Sequence, residues 1–272
     1  MKSKSYDELN FTDDFIFCAI LTENEDICKE LVEMITGRRI SAVLYAEDQK
    51  SIKKTRDGKG VRLDVYFEDE ENIAYDIEMQ LTSRNLPKRV RYYQGMMDLD
   101  VLDPGDEYDK LKESYIIFIC TFDEFEKGRH KYSFENTCVE DPSIKLKDGA
   151  HKIFLCAGGE MDDCSEKMKD FLDYVAGKNT TGELTNRLRE EVERVKKSDR
   201  WRAEYMLLEL NYREKYKEGL EDGRKEGLEQ GEAERKALED KKNALEEKNV
   251  ALEGEIARLK AQLAEASITI EQ

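Results

Sequence analysis

The chain has 272 residues, 39% of them charged and 39% hydrophobic, with a net charge of −17, which is length for one sizeable domain with a buried core plus an appendage. Its longest apolar run, Tyr115 to Cys120, is far too short to cross a bilayer, and the N-terminal MKSKSYDELN lacks the apolar stretch of a secretory signal, so a cytoplasmic location and no membrane partner are expected. Residues 185–272 hold 19 Lys+Arg against 22 Asp+Glu, leaving −14 on the first 184, a balance that weighs against nucleic-acid affinity spread over the whole domain surface.

Residues 12–36 read as one or two amphipathic helices. Phe15, Ala19, Ile27, Leu31, Met34 and Ile35 recur at three- and four-residue steps, Thr12 is the candidate N-cap and Gly37 the stop. Asp13, Asp14 and Glu30 are acids on these helices. Ile40 to Asp48 is a predicted strand leading into a basic loop, 49–60, with Lys50, Lys53, Lys54, Arg56 and Lys59. The loop has glycines but no phosphate-loop pattern.

Val61 to Gln80 is the centre of the chain. Two alternating runs flank the acidic stretch 68–72, the pattern of a hairpin with one face buried and one free. Leu63, Val65 and Phe67 share a face, opposite Arg62, Asp64 and Tyr66. In the second run Ile73, Tyr75, Ile77 and Met79 oppose Ala74, Asp76, Glu78 and Gln80. A symmetric turn pairs Phe67 with Ile73, sets Asp64 opposite Asp76 and leaves Glu78 on the diagonal. Acids on the wet face of a hairpin are ordinary in so charged a chain, but gathered carboxylates also suit a hard divalent cation such as Mg²⁺. Basic segments lie on both sides: 50–62 upstream, and Arg84, Lys88, Arg89 and Arg91 downstream, as phosphate-backbone positioning around a metal requires.

Residues 85–101 form a predicted helix with Pro87 near its start, and 103–106 a turn. Ser114 to Phe122 is almost continuously apolar, the signature of a strand at the sheet centre. Lys131 to Cys138 and Lys152 to Cys156 are further strands, and Lys167 to Ala176 a short helix. The order predicts an α/β fold with a mixed sheet flanked by helices. His130 and His151 each precede a strand in polar company, where a surface or hydrogen-bonded role is the commoner one. The six cysteines contain no Cys-x-x-Cys pair and, with two histidines, offer no zinc set by spacing; they read as small hydrophobes in a reducing compartment.

An Asp on one strand, Glu-x-Gln on the next (Asp64, Glu78, Gln80) and a following helix with Arg and Tyr resemble the PD-(D/E)XK nuclease superfamily, closest to its recombination-promoting nuclease and transposase branch. The likeness runs from Phe11 to Gly158, through FTDDFIF, DIEMQ, RYYQGMMDLDVL, SYIIFICTFDEF and HKIFLCAGG. It implies a restriction-endonuclease-like sheet, with Asp64, Glu78 and the carbonyl of Met79 as ligands of Mg²⁺ or Mn²⁺. Gln80 stands where most of the superfamily has Lys. Superfamily members often add an acid from the first helix, so Asp14 or Glu30 is either a further ligand or part of a solvated helix face. In this reading Lys53, Lys54, Arg56, Arg84, Lys88, Arg89 and Arg91 contact DNA.

The composition divides the chain into a nuclease-like domain (1–176), a linker (177–182), a helical connector (183–236) and a coiled coil (237–272). Trp201, Tyr205, Leu208 and Tyr212 form a helical stripe. Gly219, Gly223, Gly227 and Gly231 form a ladder that marks either close helix approach or a hinge. Leu238, Leu245, Leu252 and Leu259 fall at d of a heptad whose a positions are Lys242, Asn249, Ile256, Leu263 and Ile270. In a parallel pair Lys241–Glu246, Lys248–Glu253 and Glu255–Lys260 are all opposite in sign, so a parallel homodimer is expected. The function these features predict is metal-dependent DNA endonuclease action in recombination or transposition. Two alternatives remain at this stage: an inactive nuclease-like scaffold dimerised by its tail, and a nuclease acting on RNA or on branched or single-stranded DNA.

Overall fold

The computed structural model describes residues 4–48, 50–53 and 59–270. Helices α1 (Asp14–Glu23) and α2 (Glu25–Thr36) are followed by strands β1 (Val43–Asp48), β2 (Ser51–Ile52), β3 (Val61–Arg62), β4 (Val65–Asp69) and β5 (Ala74–Gln80). Then come α3 (Leu86–Val101), β6 (Ser114–Cys120), β7 (Lys131–Phe134), β8 (Ala150–Cys156), α4 (Glu166–Val175), α5 (Glu183–Lys197) and α6 (Asp199–Ile270). Six strands make one mixed sheet in the order β1-β4-β5-β6-β8-β7. Strand β6 runs parallel to β5 and β8 in its interior; β1–β4, β4–β5 and β7–β8 are antiparallel. Every residue of β6 is buried, as its almost continuously apolar sequence dictates.

Both faces of the sheet are covered. On one, Val65, Phe67, Tyr75, Ile77, Ile117 and Ile119 pack against apolar residues of α1, α2, α4, α5 and the start of α6. On the other, Tyr66, Ala74, Ile116 and Phe118 pack with Leu86, Val90 and Met97 of α3 and with Ile52 and Val61 of the small β2–β3 ribbon. The free hairpin face expected from alternation is therefore buried, because α3 lies over it. Leu63 also departs from the expected face: the strand breaks between β3 and β4, and Leu63 joins the α3-side core instead of that of Val65 and Phe67.

The hairpin register differs from the symmetric turn by two residues. Phe67 pairs with Tyr75 and Tyr66 with Asp76. The cause is Asp69, whose carboxylate Oδ1 accepts hydrogen bonds from the backbone N–H of Glu71 (2.9 Å) and Ile73 (3.0 Å) while Oδ2 accepts from the Tyr75 hydroxyl (2.9 Å). That cap closes the turn over 70–72, with Asn72 in the left-handed region (φ 60°). A shift of two keeps every side chain on its face and slides Glu78 toward Asp64.

At the N-terminus Asp13, not Thr12, stands at the helix cap position, since the Thr12 hydroxyl donates to Asn10 Oδ1 instead (2.7 Å). Gly37 ends α2 at φ 74°, as expected. The strand expected over 131–138 is regular only to Phe134, beyond which a lone bridge joins Thr137 to Lys145.

The chain divides into two units after Met206. Segment 177–182 is thus an inter-helix loop inside the first unit rather than the boundary that composition indicated. Leu184, Leu188, Val192, Val195, Trp201 and Tyr205 all enter the main core. Ion pairs reinforce this attachment: Arg187 with Asp26 and with Glu30 (2.5 Å), Arg200 with Glu23 (3.0 Å) and Arg202 with Asp7 (2.8 Å). The Tyr6 hydroxyl donates to the Val195 carbonyl (2.6 Å). Amphipathic helices read as polar by composition alone, and α5 is one. The second unit consists of α6 from Leu207 onward, helical through all four ladder glycines, where an added Cβ would meet nothing within 4 Å. No described helix is long and apolar enough to cross a membrane.

Leu188→Ala is expected to lower stability by about 2–5 kcal/mol, as for other fully buried leucines. In the same denaturant titration a chain ending at Gly182 should lose its cooperative transition and one ending at Met206 should keep it; equal midpoints for both truncations would contradict the assignment of α5 to the core.

Candidate active site

The hairpin register brings Asp64 and Glu78 together. The backbone N–H of Asp64 donates to Glu78 Oε1 (2.9 Å), and that of Met79 donates to Asp64 Oδ2 (3.2 Å). The Cys18 thiol of α1 holds the Asp64 carbonyl (3.3 Å) from the opposite side. Both carboxylates are deeply buried, Asp64 at 9% and Glu78 at 1% exposure, yet they line an open cavity of about 330 Å³ with Asp14, Arg62, Met79, Gln80, Arg89 and Tyr93. The Met79 side chain points into the opposite core, so it offers the site only its backbone.

Gln80 and α3 complete the arrangement. Gln80 Nε2 donates to Glu78 Oε2 (3.2 Å), and Gln80 Oε1 accepts from Arg89 Nη1 (2.7 Å). Arg89 Nη2 reaches both Glu78 Oε2 (3.3 Å) and the Tyr93 hydroxyl (2.8 Å). Arg89 and Tyr93 are one helical turn apart, which sets both on the face of α3 that covers the sheet.

Behind Glu78 on the same strand face lies Asp76, fully buried, with neither carboxylate oxygen hydrogen-bonded. Four acids (Asp14, Asp64, Asp76, Glu78) thus crowd around two arginines, Arg62 and Arg89. Burial pushes the Asp64 carboxyl up from an ordinary 3.8 to about 7, and the charge of Asp14 adds to it. Glu78 is raised well above the usual carboxylate range by burial and then by Asp76 and Asp64, and Asp76 by burial and Asp64. Asp14 is raised by burial, opposed by Arg62. For Arg89 burial works against the charge, but the Tyr93 hydroxyl and the field of Glu78 and Asp64 outweigh it.

An excess of buried oxygen donors over cations, one acid with no partner at all, and a cavity that admits solvent fit a hard divalent ion. The donor set contains no thiol or imidazole.

The residues singled out in the sequence separate accordingly. Asp64, Glu78, Gln80, the Met79 backbone and Asp14 converge. Glu30 does not: it pairs with Arg187 (2.5 Å) and Lys167 (2.6 Å) on the far side of α2. Arg89 is engaged inside the site rather than at an outer phosphate surface. Lys53, Arg84, Lys88 and Arg91 are exposed, and Lys54 and Arg56 lie outside the described residues. Arg62, the last cation of the upstream basic segment, lines the cavity itself, and Asp76, one of the carboxylates gathered by the hairpin, lies outside the ligand set that the resemblance implies. The signal for Asp76 was its two-residue spacing from Glu78 on a face assumed to be wet.

A family model described as a PD-(D/E)XK nuclease family transposase matches residues 11–169. No curated protein and no solved structure matches the chain.

Because Asp64 binds its proton more tightly folded than unfolded, the stability it contributes is fully present below pH 3.8 and is lost as pH rises toward about 7. Metal-free protein should therefore unfold at lower denaturant at pH 8 than at pH 5. Asp64→Asn, which keeps the acceptor for Met79, should regain part of that loss at pH 8. An Asn variant no more stable than the parent at pH 8 would contradict the burial argument.

Proposed function

We infer that this chain, which belongs to the PD-(D/E)XK nuclease family of transposases, hydrolyses DNA phosphodiesters with a divalent cation and does so as a parallel homodimer. The observation that supports this most is the Asp64–Glu78 pair, held side by side by the Asp64 N–H bond to Glu78 in a solvent-open cavity. Nucleases of this family generally use divalent metals.

Asp64, Glu78 and the Met79 carbonyl would hold Mg²⁺ or Mn²⁺, with Asp14 the further acid within reach of the cavity. The bound cation supplies Lewis-acid polarisation of the phosphodiester and a more acidic water. Gln80 has no proton to exchange near neutral pH, so its part is orientation: its amide is fixed at both ends, by Glu78 and by Arg89. Arg89 delivers to the same cavity the positive charge that Lys at position 80 would have carried, and Tyr93 keeps its guanidinium in place. The exposed Lys53, Arg84, Lys88 and Arg91 provide phosphate contacts at the margin, which position a strand without reading its sequence. Local potential of this kind works within an acidic domain because screening confines each charge to about 10 Å.

The homodimer rests on α6. Leu238, Leu245, Leu252 and Leu259 are 53–65% exposed along one helix, with Ile256 and Leu263 at intervening a positions. Such a stripe is buried when two copies pair, and Asn249 at a selects a two-stranded, in-register arrangement. The complementary g–e′ charges favour the parallel orientation.

With Mg²⁺ or Mn²⁺ the full chain should cleave supercoiled plasmid, and Asp64→Ala and Glu78→Ala should each lower the rate by on the order of 100-fold or more while remaining folded. Undiminished cleavage by Asp64→Ala would remove the ligand assignment. No cleavage of any nucleic acid by folded protein would leave a scaffold, and preferred cutting of RNA or single-stranded DNA would keep the centre but replace the substrate. A chain ending at Met206 should sediment as a monomer and nick rather than linearise plasmid; a dimeric 1–206 would move the interface out of the tail.

A further inference from the structure

Away from that cavity, at the β7 edge of the sheet, two loops meet. One, Gly128 to His130, leads into β7; the other, Ala157 to Cys164, runs from β8 to α4. They are stapled by backbone bonds: the N–H groups of Glu160 and Met161 both donate to the Gly128 carbonyl, each at 2.8 Å. Gly159 packs so closely on the Arg129–His130 peptide that a Cβ there would sit 2.8 Å from its backbone atoms. Spacing along the chain hid what this brings together. One imidazole nitrogen of His130, one carboxylate oxygen of Asp163 and the thiol sulfur of Cys164 lie within 4.8 Å of one another.

We propose that His130, Asp163 and Cys164 are the protein ligands of a second metal site, selective for a borderline-soft dication of the Zn²⁺ type, with water in the fourth position. The donor chemistry differs from that of the cavity beside Glu78. Nitrogen, oxygen and sulfur donors favour Zn²⁺ over Mg²⁺, and three protein ligands with an open position is a recurrent zinc geometry. A neutral imidazole, a carboxylate and a thiolate together carry the two negative charges that a dication neutralises.

The site is also preformed. His130 is 2% exposed; its backbone N–H donates to Asp163 Oδ1 (3.1 Å), and the same oxygen lies 2.9 Å from its ring Nδ1, which fixes the ring. Asp163 and Cys164 are half-buried and leave a side open to solvent. Arg129 Nη1, 3.5 Å from the other Asp163 oxygen, is half exposed and can swing away. A thiol binds such a cation as its thiolate, so binding at Cys164 releases a proton to solvent. The competing account is a plain His–Asp hydrogen bond with Cys164 as core packing.

The test uses full-length, metal-stripped protein titrated with Co²⁺, whose bonds to thiolate give a charge-transfer band that all-oxygen sites do not. Wild type and Asp64→Ala should show the band, with Zn²⁺ displacing it. Cys164→Ser should abolish it, and Asp163→Asn should weaken binding by on the order of 10–100-fold. Zn²⁺ should also shield Cys164 from alkylation, mapped by mass spectrometry on wild type, which needs no variant to fold. Absence of the band in wild type, its persistence in folded Cys164→Ser, or unshielded Cys164 at saturating Zn²⁺ would each overturn the site.

Discussion

Everything in the candidate active site depends on burying Asp64, at the break before β4, beside Asp76 and Glu78 of the neighbouring β5. Unpaired carboxylates in an apolar setting are held there only against a large desolvation penalty. The chain offsets it in three ways: backbone N–H groups of Asp64 and Met79 donate into the cluster, Arg89 approaches Glu78 from α3, and the carboxyls retain protons above the usual pH range. The remainder of the stability comes from elsewhere. The apolar layer between α1, α2, α4, α5 and one sheet face contains several of the largest fully buried side chains, among them Phe17, Phe67, Tyr75 and Phe171. A destabilising centre carried on a well-packed sheet is the usual division between site and scaffold.

The turn that creates the centre is itself a small polar device. Asp69 holds two backbone N–H groups and the Tyr75 hydroxyl, and Tyr75 stacks between Phe67 (4.6 Å) and Tyr115 (5.4 Å). The stack continues to His151, so rings from four strands are aligned in one row. Register at the turn and register across the sheet are thereby coupled, and a slip of Asp64 relative to Glu78 would unstack the row. This is why a two-residue difference in the hairpin matters: it decides whether Glu78 or Asp76 faces Asp64.

Much of this was legible in the sequence. Period-two alternation located β4 and β5, an unbroken apolar run located β6 at the sheet interior, and Asp64, Glu78 and Gln80 stood out by type and spacing. What was not legible depended on contacts between distant segments. The burial of Asp76 needs α3 over the sheet, the diversion of Glu30 needs Arg187 from α5, and the membership of α5 in the core needs its leucines to find α1. The His130–Asp163–Cys164 cluster likewise needs two loops 33 residues apart to close on each other. A spacing rule for zinc ligands sees only short intervals and passes over it. The hairpin register fell between these cases, since its cause, the Asp69 cap, is local but depends on a hydrogen-bond pattern that composition does not reveal.

The absence of Lys at position 80 takes on a definite structural meaning in this arrangement. A lysine two residues beyond Glu78 would project from the same strand face and place its ammonium beside the carboxylates. Here a neutral amide occupies that place, and the cation comes from a helix nine residues on, joined to it by the 2.7 Å bond from Arg89 to Gln80. The substitution therefore relocates positive charge instead of deleting it. It also changes its character: a guanidinium stays protonated throughout and holds a planar fork, whereas an ammonium can lose its proton when buried. In such a cavity the strand supplies the acids and α3 supplies the counter-charge, so the spacing between β5 and α3, set by Leu86 and Val90 in the core beneath, becomes part of the site.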